Sequence, residues 1–127
     1  MAHRLEIEKT SSTPYVLLDG EKGYMKMEGR CYHENIAMFF REINDWLDDY
    51  LKTDFGTLTF DNSISYLNSS TTKLLLSMLL KMDKHSVGNN KVIVNWIAAK
   101  QNDIMLEFGE DLLEDMENMT FNIIVSK

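Results

Sequence analysis

The chain has 127 residues, 44% hydrophobic and 26% charged, with one Pro, six Gly and a single cysteine, Cys31. That composition suits one globular domain over residues 1–127 with a sizeable core, and it excludes a fibrous, disordered or disulfide-stapled protein. Thirteen Lys and Arg against twenty Asp and Glu leave a net charge of −7, which disfavours nucleic-acid and anionic-membrane partners.

No apolar run approaches the ~20 residues of a membrane span. Met1-Ala2-His3-Arg4 leads into alternating residues without an apolar signal core, so a cytoplasmic protein is expected. The charge excess is local. Gln101 to Glu117 holds Asp103, Glu107, Glu110, Asp111, Glu114, Asp115 and Glu117 and no Lys or Arg, while the other thirteen acids balance the thirteen bases.

In chain order, Leu5 to Lys9 alternates and reads as a strand with one wet face. Thr10 to Pro14 is a turn, and Tyr15 to Asp19 is a second strand. Gly20-Glu21-Lys22-Gly23 carries hairpin chemistry, and Tyr24 to Glu28 returns as a strand stopped by Gly29. Gly29 to Asn35 reads as a loop with an N-cap at Asn35. Ile36, Phe39, Phe40, Ile43, Trp46, Leu47, Tyr50 and Leu51 then form one apolar stripe at helical spacing.

Thr57 to Phe60 is a strand. Asp61 to Asn68 reads as a polar loop in which Ile64 to Leu67 can extend that strand. A second helix begins between Asn68 and Thr71 and runs to about His85. Its Leu74, Leu75, Leu76, Met78, Leu79, Leu80 and Met82 predict packing on more than one side. Lys81, Lys84 and His85 suit its C-terminal dipole, and Gly88 ends it. Lys91 to Ile97 reads as an interior strand. Asn102 or Asp103 caps a third helix with an apolar face of Met105, Phe108, Leu112, Leu113 and Met116, and Phe121 to Val125 is a last strand. The order predicts an α/β fold: a mixed sheet with an N-terminal antiparallel hairpin, then βαβ units, packed by about three helices.

Little catalytic chemistry stands out. Cys31 and His33 lack a second ligand pair at zinc spacing, and the acidic helix does not match a calcium loop. Phosphate-cradle glycine motifs and a GxSxG elbow are absent. A hydrolase using Ser70 and His85 is an alternative, although His85 at a helix end is explained by the dipole. What remains is Tyr66-Leu67-Asn68-Ser69-Ser70-Thr71-Thr72-Lys73, four consecutive hydroxyls where a loop enters a helix. Capping with solvated neighbours explains the cluster most simply. The functional reading is a phosphoacceptor, because unpaired amides and the dipole at a helix start accept a phosphate.

These residues resemble the SiaC family of bacterial regulatory phosphoproteins. The matching pieces are Thr13-Pro14, Gly29-Arg30-Cys31-Tyr32-His33-Glu34-Asn35, Trp46-Leu47, Tyr66 to Thr71 with Lys73, Asn95-Trp96, and Asp103 to Asp111. The resemblance implies a fold similar to STAS-type anti-sigma-factor antagonists and a regulator without its own activity or cofactor. It implies phosphorylation by a partner kinase, reversal by a PPM-type phosphatase, and activation of a diguanylate cyclase by the unphosphorylated form, raising cyclic di-GMP and favouring biofilm. The acceptor is then Ser69, with Ser70 and Thr71 as competitors and Tyr66, Leu67, Asn68 and Lys73 as supporting residues. Tyr32, His33, Glu34 and Asn35 form a candidate partner-contact loop. The family usually has Thr where Ser69 stands, and Ser and Pro where Cys31 and His33 stand. A constitutive module docking a basic partner on the acidic helix is the competing interpretation.

Overall fold

The computed structural model describes residues 4–32 and 34–126. The elements are β1 (Leu5–Ile7), β2 (Tyr15–Asp19), β3 (Tyr24–Cys31), α1 (Ile36–Leu51), β4 (Thr57–Leu67), α2 (Ser69–Lys84), β5 (Lys91–Ala99), α3 (Asp103–Asp115) and β6 (Thr120–Ser126). They build one six-stranded sheet in sequence order. β1, β2 and β3 pair antiparallel, whereas β3 to β6 pair parallel. The expected mixed α/β sheet with three helices is therefore observed.

Each of the three crossovers steps to the next strand in the same direction. Right-handed crossovers of that kind stack their helices on one face of the sheet. Burial follows suit: Met25, Met27, Leu58, Phe60, Val92, Val94, Trp96 and Phe121 are buried beneath the helices in a single core. α1 contributes Ile36, Phe40, Ile43, Trp46, Leu47, Tyr50 and Leu51, the stripe expected from its periodicity. Trp96 donates its indole N–H to the Met105 carbonyl at 2.8 Å, which locks α3 onto β5. Gly109 permits that contact, because a Cβ there would lie 2.4 Å from Trp96 Cδ1.

The other face of the sheet carries no helix. It presents a polar ladder across four strands. Tyr24 donates its hydroxyl to Asp61 at 2.8 Å, Asn95 donates to Asp61 at 2.8 Å, and Asn122 donates to Asn95 at 3.1 Å. Burial of the Tyr24 phenol, reinforced by its bond to Asp61, pushes its pKa up to about 12. β5 is interior in strand order as expected, but only one of its faces is fully buried.

Four expectations need correcting. Gly29 does not stop β3; the strand runs on to Cys31 through a register shift after Gly29. Asp61 to Ser63 is strand, not loop, and Ile64 to Leu67 extends it as the sequence allowed, because parallel pairing to β3 and β5 supplies the hydrogen bonds whatever the side chains. Leu80 is exposed, although Leu74 and Leu76 are half-buried against the core and the rest of the α2 stripe packs as expected. Leu113 is exposed too, since α3 rests only its Met105, Gly109 and Leu112 side on the sheet.

Candidate functional site

The corner where β4 enters α2 is built by a bulge. Gly29 pairs with Ile64 but Arg30 pairs with Tyr66, leaving Ser65 as an extra residue on β4. Side chains alternate along a strand, so one extra residue swaps the faces that follow. Leu58, Phe60, Asn62 and Ile64 point into the core; Tyr66, which strict alternation would bury, is 45% exposed instead. Asn102 braces the bulge: its side chain donates to the Ser65 carbonyl at 3.0 Å and accepts from Met105 N–H at 3.2 Å, starting α3.

α2 begins at once. Asn68 is its N-cap, and the Asn68 side-chain oxygen accepts the Thr71 amide at 2.9 Å and the Thr71 hydroxyl at 2.7 Å. Thr72 donates its hydroxyl to the Asn68 carbonyl at 2.9 Å. Thr71 is fully buried, and the Cys31 thiol lies against its hydroxyl. Burial pushes the Cys31 pKa up to about 11, and the Thr71 hydroxyl offsets part of that rise. Capping is thus done by Asn68, with Thr71 and Thr72 committed to structure. Ser69 and Ser70 are exposed, and neither hydroxyl bonds to a described residue. Their amides lie in the first turn, where helical N–H groups have no intrahelical partner. That turn carries no acidic residue, and exposed Lys73 stands one turn further on.

Arg30 completes the corner from the open face. Its guanidinium carbon sits 5.2 Å from the Tyr32 ring centre and 5.3 Å from that of Tyr66. The two rings meet edge to face with centres 5.8 Å apart. The Tyr32 amide donates to the Ser12 carbonyl at 2.9 Å, which ties the start of the loop to the β1–β2 connection.

The structure therefore brings Tyr66, Asn68, Ser69, Ser70, Thr71 and Tyr32 to one corner. Leu67 packs inward against the core. Glu34 and Asn35 are exposed just before α1, and His33 lies outside the described residues. Thr71, named as a competing acceptor, is fully buried and bonded to Asn68, whereas Ser69 and Ser70 face solvent. The Ser70–His85 hydrolase is also ruled out. The two residues occupy opposite ends of α2, roughly 22 Å apart by helical rise, and His85 Nδ1 is bonded to the Lys81 carbonyl at 2.9 Å. Among the described residues no group of three or more potential metal ligands assembles, and no helix is long and apolar enough to cross a membrane. Arg30 was missed as a site residue. Its only sequence signal is a lone cation one position before Cys31-Tyr32.

Fold and corner together describe a small α/β domain with exposed hydroxyls at a helix mouth. The family model described as SiaC family regulatory phosphoprotein matches residues 7–126. A protein of Pseudomonas aeruginosa (strain UCBPP-PA14) is 30% identical over 111 residues, covering 87% of this chain and 88% of the relative. Among solved structures, SiaC of Pseudomonas aeruginosa matches with TM-score 0.84 at 27% identity, covering 97% of each chain. SiaC from a crystal structure of the diguanylate cyclase SiaD in complex with its activator SiaC, also from Pseudomonas aeruginosa, matches with TM-score 0.89 at 28% identity, covering 96% of this chain and 99% of that one. The chain belongs to the SiaC family of regulatory phosphoproteins, and it is a regulator rather than an enzyme.

Proposed function

We propose that this protein is a cytoplasmic, phosphorylation-switched activator of a diguanylate cyclase. Unphosphorylated, it docks on the cyclase and raises cyclic di-GMP. A partner kinase transfers the γ-phosphoryl group of ATP to the Ser69 oxygen, releasing ADP, and a PPM-type phosphatase hydrolyses the ester. The observation that carries the reading is the division of labour at the α2 mouth: Asn68 and Thr71 hold the cap, which leaves the Ser69 hydroxyl exposed and structurally idle. A phosphoryl group there brings roughly −1.5 to −2 charges. The helix dipole welcomes it by about 0.3–1 kcal/mol, so the fold tolerates the modification. An acidic partner surface does not, and each ~1.4 kcal/mol of repulsion is tenfold in affinity. The solved complex of a family member with a diguanylate cyclase supports the choice of effector.

The test is to incubate the protein with its cognate kinase and ATP, map the modified residue by mass spectrometry, and assay cyclase activity. Modification at Ser69, constitutive activation by Ser69→Ala and weakened activation by Ser69→Asp are expected. Modification absent from both Ser69 and Ser70 overturns the switch. One observation favours a second reading. α3 exposes Ile104 at 80% and Leu113 among its six exposed acids, with exposed Glu117 just beyond, a surface suited to a constitutive basic partner. Salt-sensitive binding that ignores Ser69 substitution would select it.

A further inference from the structure

Arg30 is a cation in an acidic chain, yet it has no carboxylate partner among the described residues. The ion pairs found there are Arg4–Glu6, Lys26–Glu28 and Lys81–Asp48. Arg30 is instead mounted on two tyrosine faces, at 5.2 Å and 5.3 Å. The mount is anchored at both ends. Tyr66 is paired in register with Arg30 on the neighbouring strand, and the Tyr32 amide is bonded to Ser12. All three side chains are exposed, Tyr32 at 37% and Tyr66 at 45%. Tyr66 precedes Ser69 by three residues, so mount and hydroxyl occupy the same corner.

A free surface arginine must surrender rotamer freedom to bind, whereas a stacked one is already ordered. Held over the two rings and outside any described ion pair, the guanidinium keeps its N–H fork for a partner, and that fork matches a carboxylate in two parallel hydrogen bonds. Arg and Tyr are also the residue types that dominate interface energetics. We propose that Arg30, mounted on Tyr32 and Tyr66, anchors the effector-docking surface and receives a carboxylate of the effector. The proposal rests on the switch reading above and gives it a mechanism. A phosphoryl group on Ser69 repels the same carboxylate and competes for the same guanidinium, so phosphorylation and loss of Arg30 remove one shared contact.

The experiment is calorimetric titration of the full-length chain, unphosphorylated and Ser69-phosphorylated, into its cognate diguanylate cyclase. The variants are Arg30→Gln, Arg30→Lys, Tyr66→Leu and, at the far end of α2, Lys84→Gln. Arg30→Gln is expected to weaken binding about thirtyfold. Arg30→Lys, which keeps the charge but loses the planar fork, weakens it by a smaller factor, Tyr66→Leu weakens it by loosening the mount, and Lys84→Gln leaves it unchanged. Phosphorylation should cost Arg30→Gln roughly tenfold less affinity than it costs the wild type. Thermal melts of the variants matching the wild type confirm that folding is intact. If the wild type binds the cyclase and releases it on phosphorylation while Arg30→Gln behaves identically, the Arg30 assignment falls and the switch stands. If losses from phosphorylation and Arg30→Gln simply multiply, the shared contact falls. If the wild type binds no cyclase, both readings fall.

Discussion

Thr71 gives Asn68 two hydrogen bonds at once, one from its amide at 2.9 Å and one from its hydroxyl at 2.7 Å. The neighbouring hydroxyls are thereby sorted by task. Asn68→Ala removes the cap and is expected to cost about 1–2 kcal/mol. Thr71→Ala, at a buried site, is expected to cost about 1–3 kcal/mol. Ser69→Ala should stay within about 0.5 kcal/mol of the wild type, as exposed positions do. Urea denaturation of the three variants measures this. Equal losses at Ser69 and Thr71 would contradict the sorting.

Asp83 ties the end of α2 to the start of β6. Its carboxylate accepts the amides of Glu117, Asn118 and Met119 at 2.8 to 3.2 Å, and it is nearly buried. Asp83→Ala strands those donors and is expected to cost about 3 kcal/mol or more, with a smaller loss for Asp83→Asn. Amide exchange at Asn118 and Met119 should accelerate in step with the fall in the denaturation midpoint. Unchanged protection there would refute the role.

Cys31 is fully buried with its pKa raised by burial to about 11 from an ordinary 9.0. The folded chain therefore holds the thiol proton more tightly than the unfolded chain. The contribution is complete below pH 9 and is lost as pH rises toward 11, because only the unfolded state releases the proton in that window. A melting series from pH 8 to 11 should show falling stability, and Cys31→Ala should flatten the decline. At pH 7 a thiol reagent should label the native protein only as fast as it opens. Rapid stoichiometric labelling would contradict this burial.

Asn62 lies on the core face of β4, fully buried, and neither of its side-chain polar atoms bonds to a described residue. Its register neighbours are Met27 and Trp96. An unpaired buried amide is costly, so Asn62→Leu is expected to raise stability by about 1–3 kcal/mol. A loss of stability on calorimetric melting would show that the amide is engaged in the native protein.

The α1 stripe from Ile36 to Leu51 was legible because seven of its eight apolar positions became core and periodicity measures that directly. The start of α3 was legible to within one residue, since Asn102 or Asp103 was expected as its cap and Asn102 is the cap. β4 was legible only in part: Thr57 to Phe60 read as strand and Ile64 to Leu67 as able to extend it, but Asp61 to Ser63 did not. Asp61 and Ser63 lie on the sheet face that bears no helix, and Asn62 is a polar residue in the core, so the strand shows no apolar alternation to read. The hydroxyl cluster at the α2 mouth was visible in sequence, but which hydroxyl is exposed was not.

Residue order alone decided the number and kind of the elements and placed a run of hydroxyls at a helix entrance, because spacing, caps and turns act over a few neighbours. Three dimensions decided the rest. The extra residue at Ser65 turned Tyr66 outward, β3 alongside β4 set Arg30 between two rings, and the floor under α2 buried Thr71 while leaving Ser69 in solvent. Each of those outcomes depends on which strand lies beside which, and in what register, a relation that no local pattern encodes.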